Sequence, residues 1–334
     1  MHKFGEMSDG TEVHRVQLSG YGLTANILTY GAVLQDLRLD GHEPPLVLGF
    51  EDFESYLAYS PYFGATAGRY INRIRDGHFE IDGKTYQLDQ NFLGKHCLHG
   101  GSAGIGKRIW DIEEQSSDSV TLSIVLADGE MGFPGEMRVQ AIFKLQPNST
   151  LDIRYSAITD KPTICNIGHH SYFNLDGGKT IQEHTLQVHA SHYTPVDDEL
   201  IPTGKVVDVE STRFNFQEPK EVKLGVQDEI LDHNFCLSSG RERLRSVATL
   251  HSPPSGVSMQ INTTEPGLQV YDGAKINIPV LGLDGTMMEP RAGIALEPQV
   301  WPDSTHHSHF PQAILNPNEQ YSQHTQFAFT KVRA

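Results

Sequence analysis

The stretch Cys165-Asn166-Ile167-Gly168-His169-His170-Ser171-Tyr172-Phe173-Asn174-Leu175 places two imidazoles, a hydroxyl, a phenol and a carboxamide within a few residues. If it is extended, alternate side chains face opposite ways. His170, Tyr172 and Asn174 then share one face, and His169, Ser171 and Phe173 the other. Burying such a polar face dry is costly, so it is expected to line a polar cavity. A histidine beside an aromatic ring also suits a hydrogen-bonded core position, and this stretch alone leaves both readings open.

Four further stretches carry polar groups that a simple core does not need. In Gly68-Arg69-Tyr70-Ile71-Asn72-Arg73-Ile74, two arginines four apart flank an asparagine, a donor set for hydroxyl or carboxylate oxygens or a solvated loop. In Cys97-Leu98-His99-Gly100-Gly101, the glycines permit a sharp turn and close approach of a ligand, or simply a hairpin. Asp232, in Leu231-Asp232-His233-Asn234-Phe235, is either a site acid or the start of an Asx turn. Glu297 ends the apolar run Gly293-Ile294-Ala295-Leu296 before Pro298. Partial burial there would raise its pKa and suit it to general-base work, whereas a strand-end position would turn it to solvent. His306, His307 and His309 have spacing that can bind a metal, but their Pro-, Asp- and Ser-rich surroundings favour a polar loop.

The elements that must position these groups read as strands. Leu23 to Leu39 is broken at Tyr30-Gly31 and closed by Asp40-Gly41. His78 to Leu88 alternates around Asp82-Gly83, a type I′ hairpin signal. Val139, Ala141, Phe143 and Leu145 alternate up to the Pro147-Asn148-Ser149 turn, and Leu151, Ile153, Tyr155 and Ala157 alternate after it. A short helix is expected around Phe50 to Leu57. Many short strands with Gly and Pro turns predict an all-β fold, a large antiparallel β-sandwich. No linker or low-complexity tract divides the chain, so residues 1–334 are expected to form one domain.

Composition limits the partners. A formal net charge of −16 over 334 residues repels nucleic-acid and anionic membrane surfaces and leaves a neutral small molecule as the least opposed ligand. There is no apolar leader or membrane-length run, and Cys97, Cys165 and Cys236 form neither a disulfide framework nor a zinc pattern. A cytoplasmic protein is expected.

Taken in order, the stretches resemble the aldose 1-epimerase (galactose mutarotase) family. The resemblance rests on Gly68-Arg69-x-x-Asn72-Arg73, Leu98-His99-Gly100-Gly101, His170-Ser171-Tyr172-Phe173-Asn174-Leu175 and Asp232-His233-Asn234-Phe235. Thr264-Glu265-Pro266-Gly267-Leu268-Gln269-Val270-Tyr271, and Glu297 with Pro302-Asp303-Ser304, complete it. It implies a β-supersandwich whose cleft holds a free aldose, in a monomer or homodimer with no cofactor or metal. It also implies Glu297 as base on the anomeric hydroxyl, His170 as acid at the ring oxygen and His99 assisting there. Asn72, Arg73, Arg69, Asp232 and Gln269 would hold sugar hydroxyls. A hexose 6-phosphate epimerase and a non-catalytic sugar-binding protein are the alternatives. His169, His96 and Gln299 depart from the family's common residues, and are expected to alter the cleft wall and hence sugar preference.

Overall fold

The computed structural model describes residues 1–60, 62–222 and 230–331. Three antiparallel sheets dominate it. The first joins His2–Glu6, Glu12–Gly20, Leu23–Leu28 and Val33–Leu39 in sequence order. The turn between the last two strands falls at Tyr30-Gly31, where the sequence predicts a break.

A nine-stranded sheet forms the back of the molecule. Its hairpin Met137–Gln146 and Thr150–Thr159 pairs through the second strand with the central Tyr321–Lys331, which is followed across the sheet by Val257–Thr263 and then Arg245–Ser252. Asn148 and Ser149 turn this hairpin with φ of 62° and 48°. Val139, Ala141, Phe143 and Leu145 are all buried on one side, as their alternation requires. The principal apolar core runs from Val16 to Phe329 and draws on all three large sheets.

A six-stranded sheet carries much of the chemistry. Its order is Tyr172–Phe173, Ile294–Gln299, Gly267–Tyr271, Asp232–Cys236, His192–Thr194 and Val207–Asp208. The short strand Gly168–His170, immediately before it, leaves that sheet to pair with Ala65–Ala67. Phe173 and Phe327 meet at 4.9 Å between ring centroids, joining this layer to the nine-stranded sheet.

The small expected elements are present. His78–Ile81 pairs with Lys84–Gln87 around Asp82 and Gly83, whose φ of 52° and 74° are those of a type I′ turn. The helix spans Phe53–Tyr59, displaced from the expected Phe50 to Leu57. Asp52 sets its start by accepting the Ser55 N–H at 2.8 Å, a cap that requires non-helical backbone at residue 52.

Candidate active site

Tyr62, Asn72, Arg73, His99, His170, Tyr172, Asp232, Tyr271 and Glu297 line a cavity of about 210 Å³, with Phe92, Leu98, Leu200, Ile230 and Lys275 towards its rim. Strand alternation brings His170 and Tyr172 to it. His169 faces the opposite way, beside Phe143 and Phe327, and its Nε2 lies 2.7 Å from the Ser171 hydroxyl. Asn174 leaves the shared face. Its amide donates to Gly178 and Ala292 carbonyls, bracing a loop outside the cavity.

Glu297 reaches the cavity from Ile294–Gln299, and its Oε1 lies 3.5 Å from His170 Nε2. Both side chains are almost completely buried. Burial pushes the Glu297 carboxyl well above its ordinary value, with the nearby Asp232 charge adding to the effect. Burial also lowers the His170 imidazole to about 4. Together the two shifts favour an uncharged pair at neutral pH, with its one proton on Glu297. Glu297 Oε2 and His170 Nδ1 have no hydrogen-bond partner among the described residues.

A second polar group faces this pair. Asp232 sits on Asp232–Cys236, directly across from Tyr271, rather than in an Asx turn. Its carboxylate accepts from Arg73 Nη2 at 3.0 Å and Gln269 Nε2 at 2.6 Å. Burial alone would raise its pKa, but Arg73 and Gln269 outweigh that and hold it below the ordinary carboxylate value. Gln269, expected to hold a sugar hydroxyl, is not among the residues lining the cavity and instead braces Asp232. Arg73 also stacks on Phe92, 5.0 Å from the ring centroid.

His99 is fixed by a reciprocal arrangement. Asn72 N–H donates to its Nδ1 at 3.1 Å, and its own N–H donates to the Asn72 carbonyl at 3.0 Å. Neutral His99 therefore carries its proton on Nε2. Burial, reinforced by His170, Arg73 and Lys107, lowers its pKa well below the ordinary value. Both Asn72 and His99 have left-handed backbone, with φ of 69° and 51°. Tyr62 packs over both histidines, 4.5 Å from His99 and 5.9 Å from His170.

Three expectations about this region need correction. Arg69 does not reach the cavity. Its guanidinium donates to the carbonyls of Ala127, Pro134 and Gly135 and lies over Phe133. The approach that Gly100 permits is that of a backbone, since a Cβ there would lie 1.9 Å from the Gly68 carbonyl oxygen. His169 and His96 do not form the cavity wall either. His96 accepts the Asp76 N–H and lies 3.1 Å from Glu199. At the C-terminal loop, His306 and His307 pair with Asp303, and the described residues contain no His, Cys, Asp and Glu group arranged to hold a metal ion.

With the carboxyl and imidazole facing one cavity, the comparison with known proteins bears on which reaction they serve. The aldose 1-epimerase family model matches residues 14–328. The chain belongs to the aldose 1-epimerase family. It is 38% identical to human galactose mutarotase over 98% of this chain and 97% of that protein. It is 33% identical to the aldose 1-epimerase of Escherichia coli K12, over 92% of each. Among solved structures, the aldose epimerase homologue from C. elegans superposes with a TM-score of 0.90 at 29% identity, covering 96% of this chain and all of that one. A galactose 1-epimerase from Lactobacillus acidophilus does so at 0.86 and 26%, covering 99% and 98%. The supersandwich expected from the sequence is thus the fold of this epimerase.

Several cavity residues escaped the sequence reading. Tyr62, Phe92, Leu200 and Lys275 come from loops with no distinguishing pattern. Tyr271 lay within a stretch already singled out, and its strand register with Asp232 is the signal that places it.

Proposed function

We propose that this epimerase interconverts the α and β anomers of free aldoses in this cavity, with Glu297 and His170 as its acid–base pair. The observation that carries the reading is their 3.5 Å separation at the wall of one cavity. Glu297 carboxylate takes the O1 proton, the C1=O bond forms and the C1–O5 bond breaks. O5 takes a proton from His170, giving the open aldehyde. After rotation about C1–C2, O5 attacks the other face, His170 recovers its proton and Glu297 returns one to O1. The pair holds one proton throughout, so neither half-reaction needs exchange with solvent. Sugar hydroxyls around Glu297 Oε2 replace part of its lost hydration, so that on binding the pair's proton passes from Glu297 to His170 and leaves the carboxylate as the base. His99 Nε2–H assists at the ring oxygen, while Asn72, Arg73 and Asp232 hold hydroxyls.

A free sugar is favoured over a sugar phosphate. Arg69 is committed to three carbonyls, and the charge of Arg73 is balanced by Asp232 at 3.0 Å, so that among the described lining residues Lys275 is the one cation without such a carboxylate beside it. Non-catalytic binding would not need an acid and a base matched across one cavity. No described helix is long and apolar enough to cross a membrane, and Cys97, Cys165 and Cys236 are free thiols, in keeping with a reducing cytoplasm. Polarimetry on freshly dissolved α-galactose and α-glucose tests the reaction. Enzyme should speed the approach to anomeric equilibrium; a rate equal to buffer with both sugars would rule it out.

A further inference from the structure

The two chain segments that carry the acid and the base are paired on one side of the site and separated at it. Tyr172 and Phe173 pair with Ala295 and Ile294 in an antiparallel ladder. Continued by two residues, that register sets His170 opposite Glu297. The ladder does not continue. Gly168–His170 turns to Ala65–Ala67 instead, and Pro298 has no N–H to offer the departing strand. Backbone pairing therefore cannot fix the distance between the two functional side chains.

Beyond the gap, one side chain closes it again. The Asn166 carboxamide spans both backbone groups of Val300: Nδ2 donates to the Val300 carbonyl at 3.3 Å, and Val300 N–H donates to Oδ1 at 2.9 Å. Asn166 is fully buried. Its own backbone is tied on the other side, since its N–H donates to Arg69 O at 2.8 Å and Ile71 N–H donates to its carbonyl at 2.7 Å. The Tyr321 hydroxyl secures the next residue, accepting from Ile167 N–H and donating to Ile167 O. Asn166 thus connects the His170 segment to the Glu297 strand and to the segment that leads into Asn72 and Arg73.

We propose that Asn166 is a positioning residue for the acid–base pair: its carboxamide replaces the missing ladder bonds and sets the span across which His170 and Glu297 face each other. The inference rests on the acid–base reading of those two residues. Val300 N–H and C=O have no solvent to turn to, so loss of the carboxamide leaves two buried groups unpaired and frees the gap to widen. Displacements of about 1 Å between reacting groups can lower rates by about a hundredfold.

The test compares wild type, Asn166→Leu, Asn166→Asp and Leu122→Ala in steady-state mutarotation. Leucine keeps the volume and removes both bonds, and its kcat is expected to fall about ten- to hundredfold with KM changed less than about threefold. Leu122 lies in the nine-stranded sheet and does not line the cavity, so its truncation lowers stability without lowering kcat comparably. A protonated aspartic acid offers one donor and one acceptor to Val300, as asparagine does. The Asn166→Asp rate, relative to wild type, should therefore climb as pH is lowered from about 8 to about 5. An unchanged kcat in Asn166→Leu, or a flat Asn166→Asp ratio across that range, would overturn the proposal. Inactive wild type would instead count against the mutarotase reading itself.

Discussion

Glu297 and His169 are two buried titratable groups, on neighbouring segments of different sheets, that the fold puts to opposite uses. Glu297 faces a cavity where a hydroxylated ligand can reach it, whereas His169 is held neutral between Phe143 and Phe327. Burial lowers the His169 pKa from 6.5 to about 3. Below pH 6.5 the unfolded chain takes up a proton there that the folded chain refuses, so stability falls as pH drops towards 3; above 6.5 the residue contributes no slope. His169→Asn removes this term. Between pH 6.5 and 5, urea denaturation should show wild type losing about 2 kcal/mol more than the variant. Equal losses would mean that His169 is not held neutral. Asp232 offers a complementary test at the cavity. Asp232→Asn keeps the shape and removes the charge that pairs with Arg73, so KM for aldoses should rise by about tenfold or more, as initial-rate measurements would show.

At the scale of elements, the alternation of apolar residues revealed the strands because sheet pairing has a period of two. The same rule separated His170 and Tyr172 from His169 and Phe173. It failed at Asn174, where the chain leaves the strand and its amide is captured by carbonyls of Gly178 and Ala292. The expectation that Glu297 is buried with a raised pKa also came from the chain, because an apolar run beside it commits the strand to the interior. Arg69 was illegible for a local reason. Asn72 adopts φ of 69°, which turns the backbone between the two arginines and sends their side chains to different places. Loop residues such as Tyr62 and Phe92 reach the cavity only through long-range folding, and no sequence period announces them. Arg69 supplies the corresponding prediction. Arg69→Met strands the Pro134 and Gly135 carbonyls, while Ala127 O keeps the Glu130 N–H, and should lower unfolding free energy by about 2–4 kcal/mol, with KM for aldoses unchanged. A raised KM at intact stability would return Arg69 to the binding site.

For the whole molecule, the principal core runs from Val16 to Phe329 and joins the three large sheets. We propose that the chain unfolds as one domain. Trp110 and Trp301 lie far apart in sequence, so their fluorescence and far-UV circular dichroism should report one coincident urea transition. Separate midpoints would divide the chain into independent units. The acidic charge gives a second expectation. A net charge of −16 opposes an anionic substrate, so kcat/KM for hexose 6-phosphates should lie below that for the free hexoses and improve with added salt, while the neutral sugars respond little.

We propose that Glu297, poised against His170, moves the protons that open and close the sugar ring. The most direct measurement is polarimetry of freshly dissolved α-galactose with wild type and Glu297→Gln at equal concentration. The amide preserves the side chain's shape in its buried site but cannot accept the O1 proton as a base. Wild type should accelerate mutarotation, and the folded variant should be slower by about 10²–10⁴-fold. A folded Glu297→Gln protein with wild-type rate would contradict it.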